Sequence, residues 1–85
     1  MAEYKYKDTP FCKRLRGLIF SAKAVQGLSD RQMADEIDMP LSNFSGYKSG
    51  CTLPSVKRLL QLADYFGVST DYLLGREGYE LEEKK

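Results

Sequence analysis

Eighty-five residues, 42% hydrophobic and 12% aromatic, describe one compact domain with no room for a second, and the aromatic content argues against disorder. A formal net charge of only +1 excludes the global basic excess that is the crudest mark of a nucleic-acid binder. With no histidine and two isolated cysteines, the chain offers neither a zinc site nor a disulfide framework, and Cys12 and Cys51 read as reduced thiols.

Charge is unevenly spread. Residues 1–27 carry six Lys or Arg against two acids, whereas residues 28–50 carry two against four. A basic first third suits phosphate, and it equally suits a solvated helix face. Glu3, Lys5, Lys7 and Asp8 interrupt any apolar leader, and no apolar stretch approaches membrane length. The expectation is a cytoplasmic protein that does not enter a membrane.

Residues 1–9 show no helical period and read as a flexible N-terminal arm. Thr9 followed by Pro10 is a helix start, because Thr caps and Pro suits the first helical position. Phe11, Leu15, Leu18, Ile19 and Ala22 then recur at helical spacing up to Gly27, a C-cap. Ser29 and Gln32 form a capping box that opens a second, short helix with Met33, Ala34 and Ile37 inside. It stops near Asp38, Met39 and Pro40. A third helix spans Leu41 to Ser49, with Phe44 and Tyr47 on its buried face and Gly50 after it. Ser55 caps a fourth helix, expected to bury Val56, Leu59, Leu60, Ala63 and Phe66 on one face and to end at Gly67. Ser69 caps a brief fifth with Tyr72, Leu73 and Leu74, ended by Gly75. Residues 76–85 read as a charged tail, and residues 10–75 as the folded domain.

Two short helices joined by a tight turn, Ser29 to Ser49, are the most informative feature. Ala34 is small where the third helix crosses the second, and Met39 and Phe44 fill the angle between them. Such a unit exposes one face of its second helix, a face that fits the DNA major groove.

The stretch LSDRQMADEIDMPLSNFSGYKSG, followed by LPSVKRLLQLADYFGVSTDYLLG, closely resembles the XRE-type, Cro-like and lambda-repressor-like helix-turn-helix regulators over roughly residues 19–75. The resemblance implies an all-α, five-helix, lambda-repressor-like domain whose helices 2 and 3 form the helix-turn-helix. It implies a transcriptional regulator, of repressor type, from a bacterium or prophage, binding double-stranded DNA at a palindromic operator as a homodimer. Matched position by position, it assigns base reading to Leu41, Ser42, Asn43, Ser45 and Gly46. It assigns phosphate contact to Lys23, Arg31, Gln32, Ser49 and Thr52, with Asp30, Gly50 and Cys51 beside them.

Three departures from the family pattern stand out. Asp30 occupies a position where the family commonly places a phosphate-touching Gln, and a carboxylate there repels phosphate. Lys23 and Lys48 occupy positions the family often pairs as base and acid, so they cannot pair with each other. That leaves Lys48 open to phosphate. The reading face of Leu, Ser, Ser and Gly holds no bidentate side chain, which shifts recognition toward Asn43, Lys48, the backbone and DNA shape.

No cofactor, metal or catalytic constellation is expected: GxSxG, a phosphate loop and any histidine are absent from the sequence. The chain reads as a non-enzyme. A protein-interaction module on the same fold, with weakened DNA reading, is the alternative that the neutral charge and plain third helix favour. The DNA-binding half of a longer regulator is a further one. For a dimer surface, the fifth helix and tail, with Tyr72, Tyr79 and Leu81, are the first expectation.

Overall fold

The computed structural model describes residues 4–76. The chain winds through five helices: α1 (Pro10–Gln26), α2 (Asp30–Ile37), α3 (Leu41–Ser49), α4 (Val56–Phe66) and α5 (Thr70–Leu74). No strand occurs among the described residues, so the all-α expectation holds. Of the tail expected at 76–85, Tyr79 and Leu81 lie outside the described residues.

The helix ends form where the local chemistry places them. Thr9, Ser29, Ser55 and Ser69 each accept a backbone N–H three residues on. Ser29 and Gln32 close the reciprocal capping box, with Gln32 N–H donating to the Ser29 hydroxyl and Ser29 N–H donating to the Gln32 amide oxygen. Gly27, Gly50, Gly67 and Gly75 all terminate helices in the left-handed conformation.

The core gathers around Phe44, which is fully buried with Leu15, Met33, Leu62 and Leu73. Burying one such side chain contributes about 1.5–3 kcal/mol. α1 lies against α3 and α5, α2 against α3 and α4, and α4 against α5. α3 is thus held from both sides by its Phe44 and Tyr47 face, and its opposite face is left to the outside.

The turn between α2 and α3 is a left-handed cap on Asp38, at φ 68° the one non-glycine residue with positive φ among those described. Asp38 N–H donates to Asp35 O and Met39 N–H to Ala34 O, after which buried Met39 closes the corner. From α4, Gln61 donates to the Ile37 carbonyl and Arg58 to that of Asp38. These bonds satisfy carbonyls that the end of α2 leaves unpaired. Tyr65 of α4 also donates its hydroxyl to the Glu36 carboxylate. Burial and that carboxylate push Tyr65 up to about 12, so it stays a donor.

Two expectations need correction. Residues 4–9 are not an unanchored arm. Tyr6 N–H donates to the Gly50 carbonyl, and the Lys7 carbonyl accepts from Arg16. The segment rides so close over Gly50 that a Cβ there would collide with the Lys7 backbone. The outer part of α4 is also misassigned: Val56 and Leu60 are 75% and 51% exposed, and Leu62 is buried instead. Apolar side chains cover a wide arc of α4, and the positions of α2 and α5 select which part turns inward.

Two stability tests follow from this geometry. Asp38→Gly relieves the left-handed strain and removes an acid from the negative end of α2. It is expected to stabilise the domain by about 0.5–1 kcal/mol, read as a rise of a few degrees in thermal midpoint. Gly50→Ala is expected to do the reverse by more than about 1 kcal/mol, through positive φ and collision with the Lys7 backbone.

Candidate nucleic-acid interface

α3 begins without a side-chain cap, since its N-cap is Pro40. The Pro40 carbonyl accepts from Asn43 and Phe44, which leaves the amides of Leu41 and Ser42 without intrahelical partners. Ser42 is exposed; Asn43 and Ser45 are half-buried. Asn43 donates from Nδ2 to the Tyr47 hydroxyl at 3.5 Å, which ties it to its own helix. Leu41 is partly buried against the core, and only the rest of its surface remains for a partner. Gly46 does not present an open face: a Cβ there would lie 3.3 Å from Thr52 Cγ2. Its carbonyl accepts from Gly50 N–H, Cys51 N–H and the Ser49 hydroxyl. Gly46 therefore works by letting the loop after α3 close onto the helix, with Thr52 against it.

At the other end of α3, Lys48 is held by both its backbone and its side chain. Its carbonyl accepts from buried Cys12 Sγ at 3.1 Å and from Arg16 Nη1 at 3.3 Å. Arg16 also donates to Cys12 Sγ. Burial pushes the Cys12 thiol up; Arg16 opposes this and Asp8 adds to it. The sulfur therefore stays protonated and donates.

The Lys48 ammonium reaches Asp30 Oδ2 at 2.5 Å, and Lys23 of α1 lies 3.0 Å from Oδ1 of the same carboxylate. Burial disfavours the Asp30 charge, but Lys48 and Lys23 outweigh it and hold the carboxyl below its ordinary value. The expectation that Asp30 repels phosphate is corrected here: its charge is taken up between two cations. The expectation that Lys48 stands unpaired is corrected too. The two lysines do not pair with each other; a third residue pairs with both, and α1, α2 and α3 meet at that point. The exposed Arg31 follows on the first turn of α2, so basic side chains outnumber the single neutralised acid. Gln32 spends its amide oxygen on the capping box, which leaves the NH2 group uncommitted to the cap. Sequence reasoning missed Asp30 as an ion-pair centre, and it missed Cys12 and Arg16 as anchors of Lys48. A pair of lysines with an acid at the start of α2 was the available signal, but the contacts span 7 and 18 residues.

Among the described residues, no helix is long and apolar enough to cross a membrane, and no group of three His, Cys, Asp or Glu is placed to hold a metal ion.

Comparison with known proteins bears on this geometry. A helix-turn-helix family model matches residues 26–73, which takes in α2, α3, α4 and most of α5. The chain is 44% identical over 45 residues, 53% of its length and 40% of the relative's, to the cryptic phage CTXphi transcriptional repressor RstR of Vibrio cholerae serotype O1. It is 46% identical over 44 residues, 52% of its length and 38% of the relative's, to the HTH-type transcriptional regulator AnsR of Bacillus subtilis. It is 32% identical over 65 residues, 76% of its length and 48% of the relative's, to the HTH-type transcriptional regulator ImmR of Bacillus subtilis. The chain thus spans less than half the length of each of these three relatives. No solved structure matches it.

Asp30→Asn tests the clamp. The folded value of Asp30 is depressed, so its contribution to stability is complete above the unfolded carboxyl value and disappears as pH falls through the lower folded value. At pH 7 the variant is expected to be less stable by about 1 kcal/mol. The gap to the parent narrows below about pH 4 and closes in stronger acid. Thermal melts of both proteins from pH 7 down to pH 2 check this; a gap independent of pH would sink the clamp as the cause.

Proposed function

The chain belongs to the helix-turn-helix family, and from that premise we propose that it is a sequence-specific double-stranded DNA-binding transcriptional regulator, of repressor type. α3 enters the major groove, and two copies bind a palindromic operator with half-sites about 34 Å apart. The observation that carries the reading is the clamp: Asp30, the residue that most opposed phosphate at the start of α2, is neutralised by Lys23 and Lys48. The first turn of α2, with Arg31 and Gln32, is then open to a phosphate on one side of α3. Ser49 and Thr52 meet the next phosphates on the other side, where Thr52 sits against Gly46.

Base reading falls to Ser42 and Ser45, with Asn43 at the flank and the exposed part of Leu41 against a thymine methyl. These side chains discriminate weakly, so groove shape carries part of the specificity. Gly46 contributes by positioning the Thr52 loop. The names of the relatives support a regulator, and that of RstR a repressor. A catalytic role has no support in the site. The protein-interaction alternative drew on the near-neutral charge and the plain third helix, and the names of the relatives do not favour it.

The test is selection from a random duplex pool at physiological salt, where an enriched palindrome is expected. Binding to it should weaken with salt at a log–log slope of about −0.9 per phosphate contacted. Ser42→Glu places an acid on the reading face while favouring the first turn of α3. It is expected to melt like the parent and to bind the selected site about a hundredfold more weakly. Phe44→Asp, which buries an unpaired charge, should unfold the domain. Equal destabilisation by the two changes would show that the facing of α3 is wrong, and a pool without enrichment would return the protein-interaction reading.

A further inference from the structure

α4 has an apolar side that its own fold does not use. Val56 and Leu60, four residues apart on one stripe, are 75% and 51% exposed, and Leu53 in the preceding loop is 44% exposed. Phe20 and Val25 of α1 are as exposed, but five residues apart they fall on different flanks of the helix. α5, the first expectation for a dimer surface, is already committed to α1: Leu73 is buried, Tyr72 lies under the Arg14 guanidinium, and Gly75 abuts Pro10.

We propose that the Val56–Leu60 stripe of α4 is where a second copy of this chain docks, with the two α4 helices antiparallel about a two-fold axis near Leu60. The proposal rests on the dimeric DNA-binding reading above. Charge selects the occupant and its orientation. Lys57 and Asp64, both exposed, border the stripe toward its two ends. Antiparallel self-pairing brings Lys57 of each copy to the partner's end that carries Asp64, whereas parallel pairing sets like charges together. A two-fold interface is self-complementary in this way by symmetry.

The stripe also lies where the operator requires it. Val56 is four residues from Thr52, hence within about 14 Å of it along the chain. Thr52 touches Gly46 of α3. With α4 axes about 8–10 Å apart and the two Val56 residues offset by about 12 Å along them, the two Thr52 residues can stand up to about 43 Å from each other, a reach that includes one turn of DNA at about 34 Å. Three apolar side chains are fewer than a standard interface of about 800 Å² per partner needs. The free dimer is therefore weak, and adjacent half-sites strengthen it by raising the local concentration.

Sedimentation of the full chain at high concentration, without DNA, reads the interface independently of any operator. A reversible monomer–dimer equilibrium is expected. Leu60→Glu should weaken it at least about tenfold while leaving the melting temperature unchanged. Lys57→Asp and Asp64→Lys should each weaken it, and the double variant should restore it. Ser42→Glu should dimerise like the parent, so that failure of DNA reading and failure of this interface remain distinguishable. A parent that is monomeric at millimolar concentration, a Leu60→Glu chain that dimerises normally, or a charge-swapped pair that is not restored would each overturn the proposal.

Discussion

One carboxylate with two lysines organises this domain's outer surface. Asp30 sits at the first residue of α2, and its two oxygens receive ammonium groups from α1 and from the end of α3. A surface ion pair is worth little by itself, because two long side chains lose freedom to make it. Here the loss is reduced. The Lys48 backbone is already fixed by Cys12 and Arg16, and Asp30 is fixed by the capping box that starts one residue earlier. The ion pairs close a frame whose corners are set by packing and caps. That frame determines how α3 is presented, since Phe44 and Tyr47 fix its roll and the clamp fixes its far end.

The local punctuation of the fold is legible in the sequence because it acts over three or four residues. Serine or threonine before each of α1, α2, α4 and α5 and glycine after four of the helices meet their partners within one turn. The inward faces of α2 and α3 are equally legible, since each has one narrow apolar stripe, and that of α1 is legible in the spacing of Phe11, Leu15, Ile19 and Ala22. α4 is not: its apolar residues cover so wide an arc that period alone does not choose among Val56, Leu60 and Leu62. The choice depends on where α2 and α5 lie.

The interface was legible in outline and illegible in its charges. Which residues flank the α2–α3 turn follows from the pattern. That Asp30 faces inward between two lysines does not, because the contacts join helices distant in sequence. Each departure from the family pattern looks unfavourable alone: an acid where a neutral amide is usual, and a lysine where an acid is usual. Together they exchange the positions of one charge. The same holds for Gly46, which reads as a gap in the recognition face until Thr52 is seen to fill the space beside it. Residues 4–9 were illegible for a related reason: their partner is the carbonyl of Gly50, and a backbone acceptor leaves no mark in composition.

A net charge of +1 is consistent with the proposed DNA reader, because affinity and discrimination have different sources. Phosphate contacts add affinity for every sequence alike, and genomic DNA offers a vast excess of wrong sites. A chain whose cations are partly engaged internally binds those sites weakly, so a larger share of its operator affinity comes from α3 and from two half-sites fitting together. A base-reading set as weak as the one proposed for Ser42 and Ser45 makes that second share necessary. A single domain with such a face discriminates little, whereas two domains at fixed spacing multiply their preferences, and symmetry then becomes part of the recognised sequence. On the proposed reading, the plain reading face, the partly neutralised cations and the unused apolar stripe on α4 therefore serve one mode of binding, in which specificity depends on the pair more than on either copy.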